Sequence, residues 1–314
     1  MKLNKISLRD KGLIGRYLFL SRRDLSVYNF NNIYIWKGLF DILWSVEKGN
    51  FCLFFKDKLG SFLYLPVLGE RIRPETISRA FEVMDEFNPN PENSRIENIE
   101  QEELSFYRDL GYDCVFKSYD YLCLRSGLAK LEGNVFKSKR ASYNYFTKHY
   151  SFEYAPFSLE SKENCLGLYR KWMAGRKSSN PDPVYQAMME DSLKSLRILL
   201  DNYKDLGCRG RVVRIENRIK AFSFGFKLNP QTFCILYEIT DLSIRGLAQF
   251  IFRSFCSELK GNKYINVMDD SGLENLKKVK LSYHPVKLIP SYIAKRKNLN
   301  RDSDYFSHSQ VGGK

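Results

Sequence analysis

Between Gly210 and Pro285 the chain alternates apolar and polar positions in short runs and then changes to helical spacing. Arg211 to Ile215 and Ile219 to Phe226 read as two strands joined at the polar turn Glu216-Asn217-Arg218. In the second strand Phe222, Phe224 and Phe226 share one face, and Ala221, Ser223 and Gly225 share the other, a face small enough to let something come close. A third strand, Phe233 to Ile239, carries Tyr237 and Glu238 towards its end. Arg245-Gly246-Leu247-Ala248 then opens a helix whose apolar positions 244, 247, 248, 251, 252, 255 and 259 recur at helical spacing. A strand from Tyr264 to Met268, the pair Asp269 and Asp270, a short helix from Gly272 and the run Lys280 to Pro285 complete the series. The predicted order is strand, strand, strand, helix, strand, helix, strand.

The earlier part of the chain repeats this mixture without a residue-level repeat. Residues 11–20 and 35–45 read as helices, the second on Ile35, Leu39, Ile42, Leu43 and Trp44. Phe51 to Phe55 and Ser61 to Pro66 read as a hairpin around Asp57 to Gly60, followed by a helix from Pro74 to Phe87. A second helix, Gln101 to Leu110, stops at Gly111, and Tyr112 to Leu124 reads as a strand or strand pair. The glycines at 127 and 133 mark a boundary, giving domains over 1–127 and 128–294 and a polar tail over 295–314. In the second domain Phe136 to Tyr150, Ser158 to Met173 and Val184 to Leu206 read as helices, with Arg176 to Pro183 as a connecting loop. Val286 to Ile293 reads as a last strand.

Fifty Lys and Arg against 36 Asp and Glu leave a net charge of +14, which directs attention to phosphate-bearing partners. Seven scattered cysteines with no C-x-x-C pair read as free thiols of a reducing compartment. The three histidines form no cluster, so no metal is predicted. No run approaches the roughly 18–20 apolar residues of a membrane span, and Met1 to Lys5 does not open a signal peptide. A cytoplasmic protein is expected, with a place at the membrane periphery as the second option.

Several stretches carry a family resemblance. They are Lys137-Ser138-Lys139-Arg140, Arg214 to Gly225, the positions Asn266, Asp269, Gly272 and Leu273, and Lys280 to Pro285, with Asn32 to Trp36 and Asp120-Tyr121 upstream. Together they resemble the C-terminal catalytic domain of phosphatidylglycerol lysyltransferases, a group similar in turn to Fem-type aminoacyl transferases. The resemblance implies an α/β (α+β) fold of two tandem GNAT-like domains. It implies direct transfer of an aminoacyl group from aminoacyl-tRNA to a lipid or amine acceptor, with no cofactor. An N-acyltransferase using acyl-CoA, and a non-catalytic binder of RNA or anionic membrane, are the alternatives.

In a site of this type the enzyme aligns an acyl donor with a nucleophile and stabilises the developing oxyanion. Glu238 and Asp269 fall at the ends of two central strands; either could take a proton or hold a cationic amine, or could simply cap the following helix. Lys280 could neutralise a phosphate or oxyanion and Tyr283 could donate its phenolic proton. Asp269 and Tyr283 both follow C-terminal segments of the same βαβ series and are expected in one cleft, between the two halves or at the end of the second sheet, and the resemblance adds Asn266 as a substrate contact. Arg245 and Gly246 form a degraded phosphate-binding loop, whose incompleteness favours a donor larger than coenzyme A. Lys137, Lys139 and Arg140 open a helix with Tyr143, Tyr145, Phe146 and Lys148, and are expected to form an edge that contacts tRNA phosphates.

Overall fold

The computed structural model describes residues 1–20 and 23–297. Its first half runs β1 (Asn4–Lys5), α1 (Lys11–Leu18), α2 (Phe30–Tyr34), β2 (Asp41–Glu47), β3 (Asn50–Lys56), β4 (Ser61–Leu63), α3 (Pro74–Phe87), β5 (Arg95–Glu100), α4 (Leu104–Asp109) and β6 (Tyr112–Leu124). The second half continues with α5 (Arg125–Lys130), α6 (Lys137–His149), β7 (Glu153–Pro156), α7 (Lys162–Ser179), α8 (Pro183–Asp201), α9 (Tyr203–Leu206) and β8 (Arg209–Ile215). It ends with β9 (Arg218–Lys227), β10 (Thr232–Thr240), α10 (Leu247–Glu258), β11 (Tyr264–Asn266), α11 (Glu274–Leu281) and β12 (Lys287–Arg296).

The predicted strand, strand, strand, helix, strand, helix, strand order is present in each half, as β2 to β6 and as β8 to β12. All strands join one 12-stranded sheet in the order β1-β2-β3-β4-β5-β12-β6-β11-β10-β9-β8-β7. Within it β4 with β5 and β10 with β11 are parallel, and the other described pairs are antiparallel. The halves exchange their last strands. β12 pairs with β5 of the first half, β6 pairs with β11 of the second, and the two cross at the centre from Lys287 opposite Leu122 to Arg296 opposite Tyr112.

Strand alternation explains the layers. On β3, Phe51, Leu53 and Phe55 enter a core shared by both halves, which also holds Ile14, Ile33, Leu166, Leu196, Phe222 and Phe224. Cys52 and Phe54, on the opposite face, pack under α3 with Ile77 and Phe81. In the second half Ala221 and Val213 turn towards Phe146 and Phe250 of α6 and α10. Each fully buried Phe of this kind contributes about 1.5–3 kcal/mol, and the shared core makes the halves interdependent. The cysteines are all free thiols, most of them buried, and no described helix is long and apolar enough to cross a membrane.

Four expectations need correction. The segment 35–45 is a short 3-10 turn at Ile35–Gly38 followed by strand β2. Lys48 (φ 49°) and Gly49 (φ 81°) make the tight turn that folds β2 onto β3, and pairing overrides a spacing that fits helix equally well. The connection drawn at Arg176 to Pro183 is mostly helical: α7 continues to Ser179, and α8 starts with Pro183 in its first turn and Asp182 accepting from the Val184 N–H. The small-residue face of β9 admits no ligand at Gly225. A Cβ there would meet the Cys234 carbonyl at 2.3 Å and the Phe233 ring at 2.4 Å, so the neighbouring strand fills that space. The tail expected over 295–314 begins inside β12 and, from 298 on, lies outside the described residues.

Candidate active site

β10 and β11 stay together only from Thr232 opposite Tyr264 to Cys234 opposite Asn266. Beyond that point β10 is bulged between Ile235 and Tyr237 and continues to Thr240 along β9 alone. The other chain turns away at Met268, a non-glycine residue with φ 62°. A gap therefore opens between two parallel strands, the kind of opening that ligands use in α/β sheets.

Glu238 stands on β10 opposite Ser223 of β9. It caps nothing. Its Oε2 is shut off from solvent and has no hydrogen-bond partner, and neither has the Ser223 Oγ. Burial pushes the Glu238 carboxyl up to about 8, opposed by the nearby Lys139 ammonium. Lys139 reaches this point from α6, with its Nζ 4.4 Å above the centre of the Tyr283 ring, and burial lowers its own pKa. Tyr283 packs on Phe252 at 4.6 Å between ring centres, and burial, with Glu238 next in size, raises its hydroxyl far above the ordinary phenol range. Glu238, Lys139, Tyr283 and Ser223 thus form one partly desolvated group.

Asp269 and Lys280 belong to a second group. The Lys280 ammonium donates to the main-chain carbonyls of Val267 and Asp269 and so holds the turn after β11. Burial lowers its pKa, while Asp269 and Asp120 act against that shift. Burial and the Asp120 charge raise Asp269, offset by Lys280 and Lys117. Asp270 accepts from the Tyr121 hydroxyl and from the Gly272 N–H. No hydrogen bond joins Asp269 to Tyr283, and the charges that act on each are different ones. The single cleft expected for the pair resolves into two neighbouring groups.

Asn266 is fully buried with its amide committed. Nδ2 donates to the Asp24 carbonyl at 2.8 Å and to Asp120 Oδ2 at 2.9 Å, and Oδ1 accepts from the Met268 N–H at 2.6 Å. Asp120 accepts in turn from the Ser26 N–H at 2.7 Å, and Asn32 donates to the Ser26 carbonyl at 2.9 Å. These residues tie the loop before α2 to the base of the gap. That ties the stretches at 32–36 and 120–121 to the same place as Asn266.

The loop before α10 is closed by protein. Gly246 has φ 82°, and a Cβ on it would lie 2.1 Å from the Ser142 carbonyl of α6. Arg245 sits 4.4 Å over the Tyr145 ring, which stacks on His149 at 4.1 Å. Asp241 accepts from the Ser243 N–H and Oγ and pairs with Lys171 and Lys220, a local turn and ion-pair role. Helix α6 thus lies across the N-terminus of α10, where a phosphate would otherwise approach. Of the three cations that open α6, Arg140 donates to the Leu131 and Gly133 carbonyls, Lys139 turns inward over Tyr283, and Lys137 is exposed.

Ser223, Asp120 and Ser142 are the residues that sequence reasoning did not single out for the site. Ser223 sat in the small-residue face of β9 and Asp120 in the quoted pair Asp120-Tyr121. Nothing in the sequence marks Ser142.

A family model described as phosphatidylglycerol lysyltransferase, C-terminal, matches residues 19–295. Among solved structures, a conserved protein of unknown function from Bacteroides thetaiotaomicron is 25% identical with a TM-score of 0.84, over 95% of this chain and 100% of that one. The C-terminal domain of a protein assigned as a lysylphosphatidylglycerol synthetase from Agrobacterium fabrum is 14% identical with a TM-score of 0.66, over 95% of each chain. L-PGS from Bacillus licheniformis is 16% identical with a TM-score of 0.62, over 93% of this chain and 94% of that one. No curated protein matches the sequence.

Proposed function

The chain belongs to the phosphatidylglycerol lysyltransferase C-terminal family, and from that premise we propose that it moves an aminoacyl group from aminoacyl-tRNA to a lipid hydroxyl or an amine by direct transfer. The observation that carries this reading is the unpartnered Glu238 Oε2 on the stretch of β10 that borders the gap. A carboxyl whose Oε2 is shut off from solvent with no hydrogen bond is poised to accept a proton near neutral pH.

In the proposed step the acceptor's oxygen or nitrogen adds to the aminoacyl carbonyl carbon while its proton passes to Glu238. The ester bond to the tRNA ribose then breaks, and the proton leaves Glu238 for the ribose oxygen. Lys139 and Tyr283 supply positive charge and a hydrogen-bond donor for the oxyanion that forms in between. Coverage of the α10 N-terminus by α6 favours a tRNA donor over coenzyme A, because the Ser142 carbonyl packs against Gly246 where the loop would have to stay open to an anion. Lys137 and the basic outer face of α6 are the proposed tRNA contact.

The test is incubation with total tRNA charged from a labelled amino acid pool, together with mixed phospholipids, a peptide amine and acetyl-CoA. Label passing to lipid or peptide, and lost with Glu238→Gln, supports the reading. Label that stays on tRNA while acetyl-CoA is consumed would overturn it.

A further inference from the structure

In the first half, far along the sheet from Glu238, a cleft of about 570 Å³ lies between α1, the β2–β3 turn and the loop before α3. Its walls carry Arg16, Lys48, Arg71 and Arg73, with Glu70 as the opposing acid, so positive charge exceeds negative by three. None of the four cations has an ion pair among the described residues, although such pairs are frequent elsewhere on this surface. The cleft's apolar side is Leu13, Leu20 and Val46, with Leu20 45% and Val46 39% exposed. Phe19, next to Leu20, is 62% exposed. On the floor, Tyr17 and Trp44 both stack on Phe51, at 5.2 and 6.3 Å between ring centres, and the Trp44 Nε1 is buried without a partner.

We propose that this cleft is a docking site for an anionic phospholipid surface. Unpaired cations beside exposed aliphatic side chains fit a lipid, with phosphate on the guanidinium groups and acyl chain against Leu13, Leu20 and Val46. A single-stranded nucleic acid would use free aromatic faces for its bases, and here Tyr17 and Trp44 each commit a face to the core, while the phosphates of a folded RNA would leave the exposed Leu20 and Val46 without a partner. Contact is at the surface only, since no described helix can span the bilayer. The site is separate from the gap in the second half and does not depend on which acceptor is used there.

The experiment is sedimentation of the full chain with vesicles of phosphatidylcholine alone and of phosphatidylcholine and phosphatidylglycerol in equal parts, with neither tRNA nor acceptor present. Binding is expected only to the anionic vesicles and should weaken with salt. Arg71→Gln with Arg73→Gln should lower partitioning about thirty-fold, from about five-fold per cation lost near the surface. Both side chains are exposed, so an unchanged melting curve certifies the fold. Phe19→Ser with Leu20→Ser should lower the binding that survives high salt. Equal binding to both vesicle types, or undiminished binding by the arginine pair, overturns the proposal. So does a tRNA affinity that falls with the arginine pair while vesicle binding holds, which would give the cleft to RNA. Failure of aminoacyl transfer leaves all of these readouts untouched.

Discussion

In the first half β4 and β5 are parallel neighbours for one residue pair, Leu63 with Ile96, and the gap beyond is stitched shut by the protein itself. Asn98, at φ 58°, donates to the Tyr64 carbonyl across the gap at 2.8 Å, accepts from Lys117 at 2.8 Å, and its carbonyl accepts from Tyr28 at 2.9 Å. Arg23 clamps Glu100 at 2.9 Å and Glu103 at 2.7 Å beside it. In the second half the corresponding turn residue is Met268, also left-handed and also following the last parallel partner by two positions. There Glu238 Oε2 on β10, beside the gap, and the Ser223 hydroxyl opposite it on β9 have no partners. Buried polar groups are normally satisfied, so the same topology serves as scaffold where its groups are paired and offers chemistry where they are not.

The largest expected effect tests that contrast directly. Glu238→Gln keeps shape and removes the base, so transfer should fall by about a hundred- to ten-thousand-fold with a melting temperature no lower than the parent's. Activity within a few-fold of the parent would erase the distinction between the halves. Arg23→Ala should do the reverse. It strands two carboxylates that are 13% and 23% exposed, and should lower unfolding free energy by about 3–5 kcal/mol in urea, with transfer by the folded fraction retained.

A smaller effect is expected at the loops before the two equivalent helices. The loop before α3 is open and lines the basic cleft, whereas the loop before α10 is pressed against α6. Gly246→Ala should cost about 1–3 kcal/mol, from the left-handed backbone and the Ser142 contact together. A variant as stable as the parent but weakened towards acyl-CoA would mean that the glycine serves a phosphate after all.

The mildest test is a pH series. Burial raises Glu238 from 4.5 to about 8. As pH rises through that window the unfolded chain has lost this proton and the folded chain keeps it, so Glu238 makes stability fall between about 4.5 and about 8. Activity that needs the carboxylate rises over the same approach to about 8. Glu238→Gln should flatten that part of the stability profile, and a parent whose transfer rate is level across the window would deny Glu238 the role of base.

Much of this was legible along the chain. Strand alternation and helical spacing located β8 to β10 and α10, because one buried face per element is a local pattern with a fixed period. Asp241 and Asp270 sit in local turns, as short acidic side chains beside free backbone N–H groups do. Segment 35–45 reads as helix on the five apolar positions Ile35, Leu39, Ile42, Leu43 and Trp44, and only the pairing of Asp41–Glu47 with β3 makes it a strand. Arg140 and Lys139 lie in one basic run, yet one closes the end of α5 and the other enters the gap.

The sequence by itself determined the order of elements from β8 to β12 and the family, since these follow from periodicity, turn residues and short motifs that neighbours in the chain can specify. Only the tertiary structure decided that the last strands change places and that α6 covers the start of α10. It alone decided that Glu238 faces Lys139 and Tyr283 while Asp269 faces Lys280 and Asp120. Those outcomes depend on which distant surfaces exclude water from one another, and burial, which sets both pairing and proton affinity, is a property of the assembled fold.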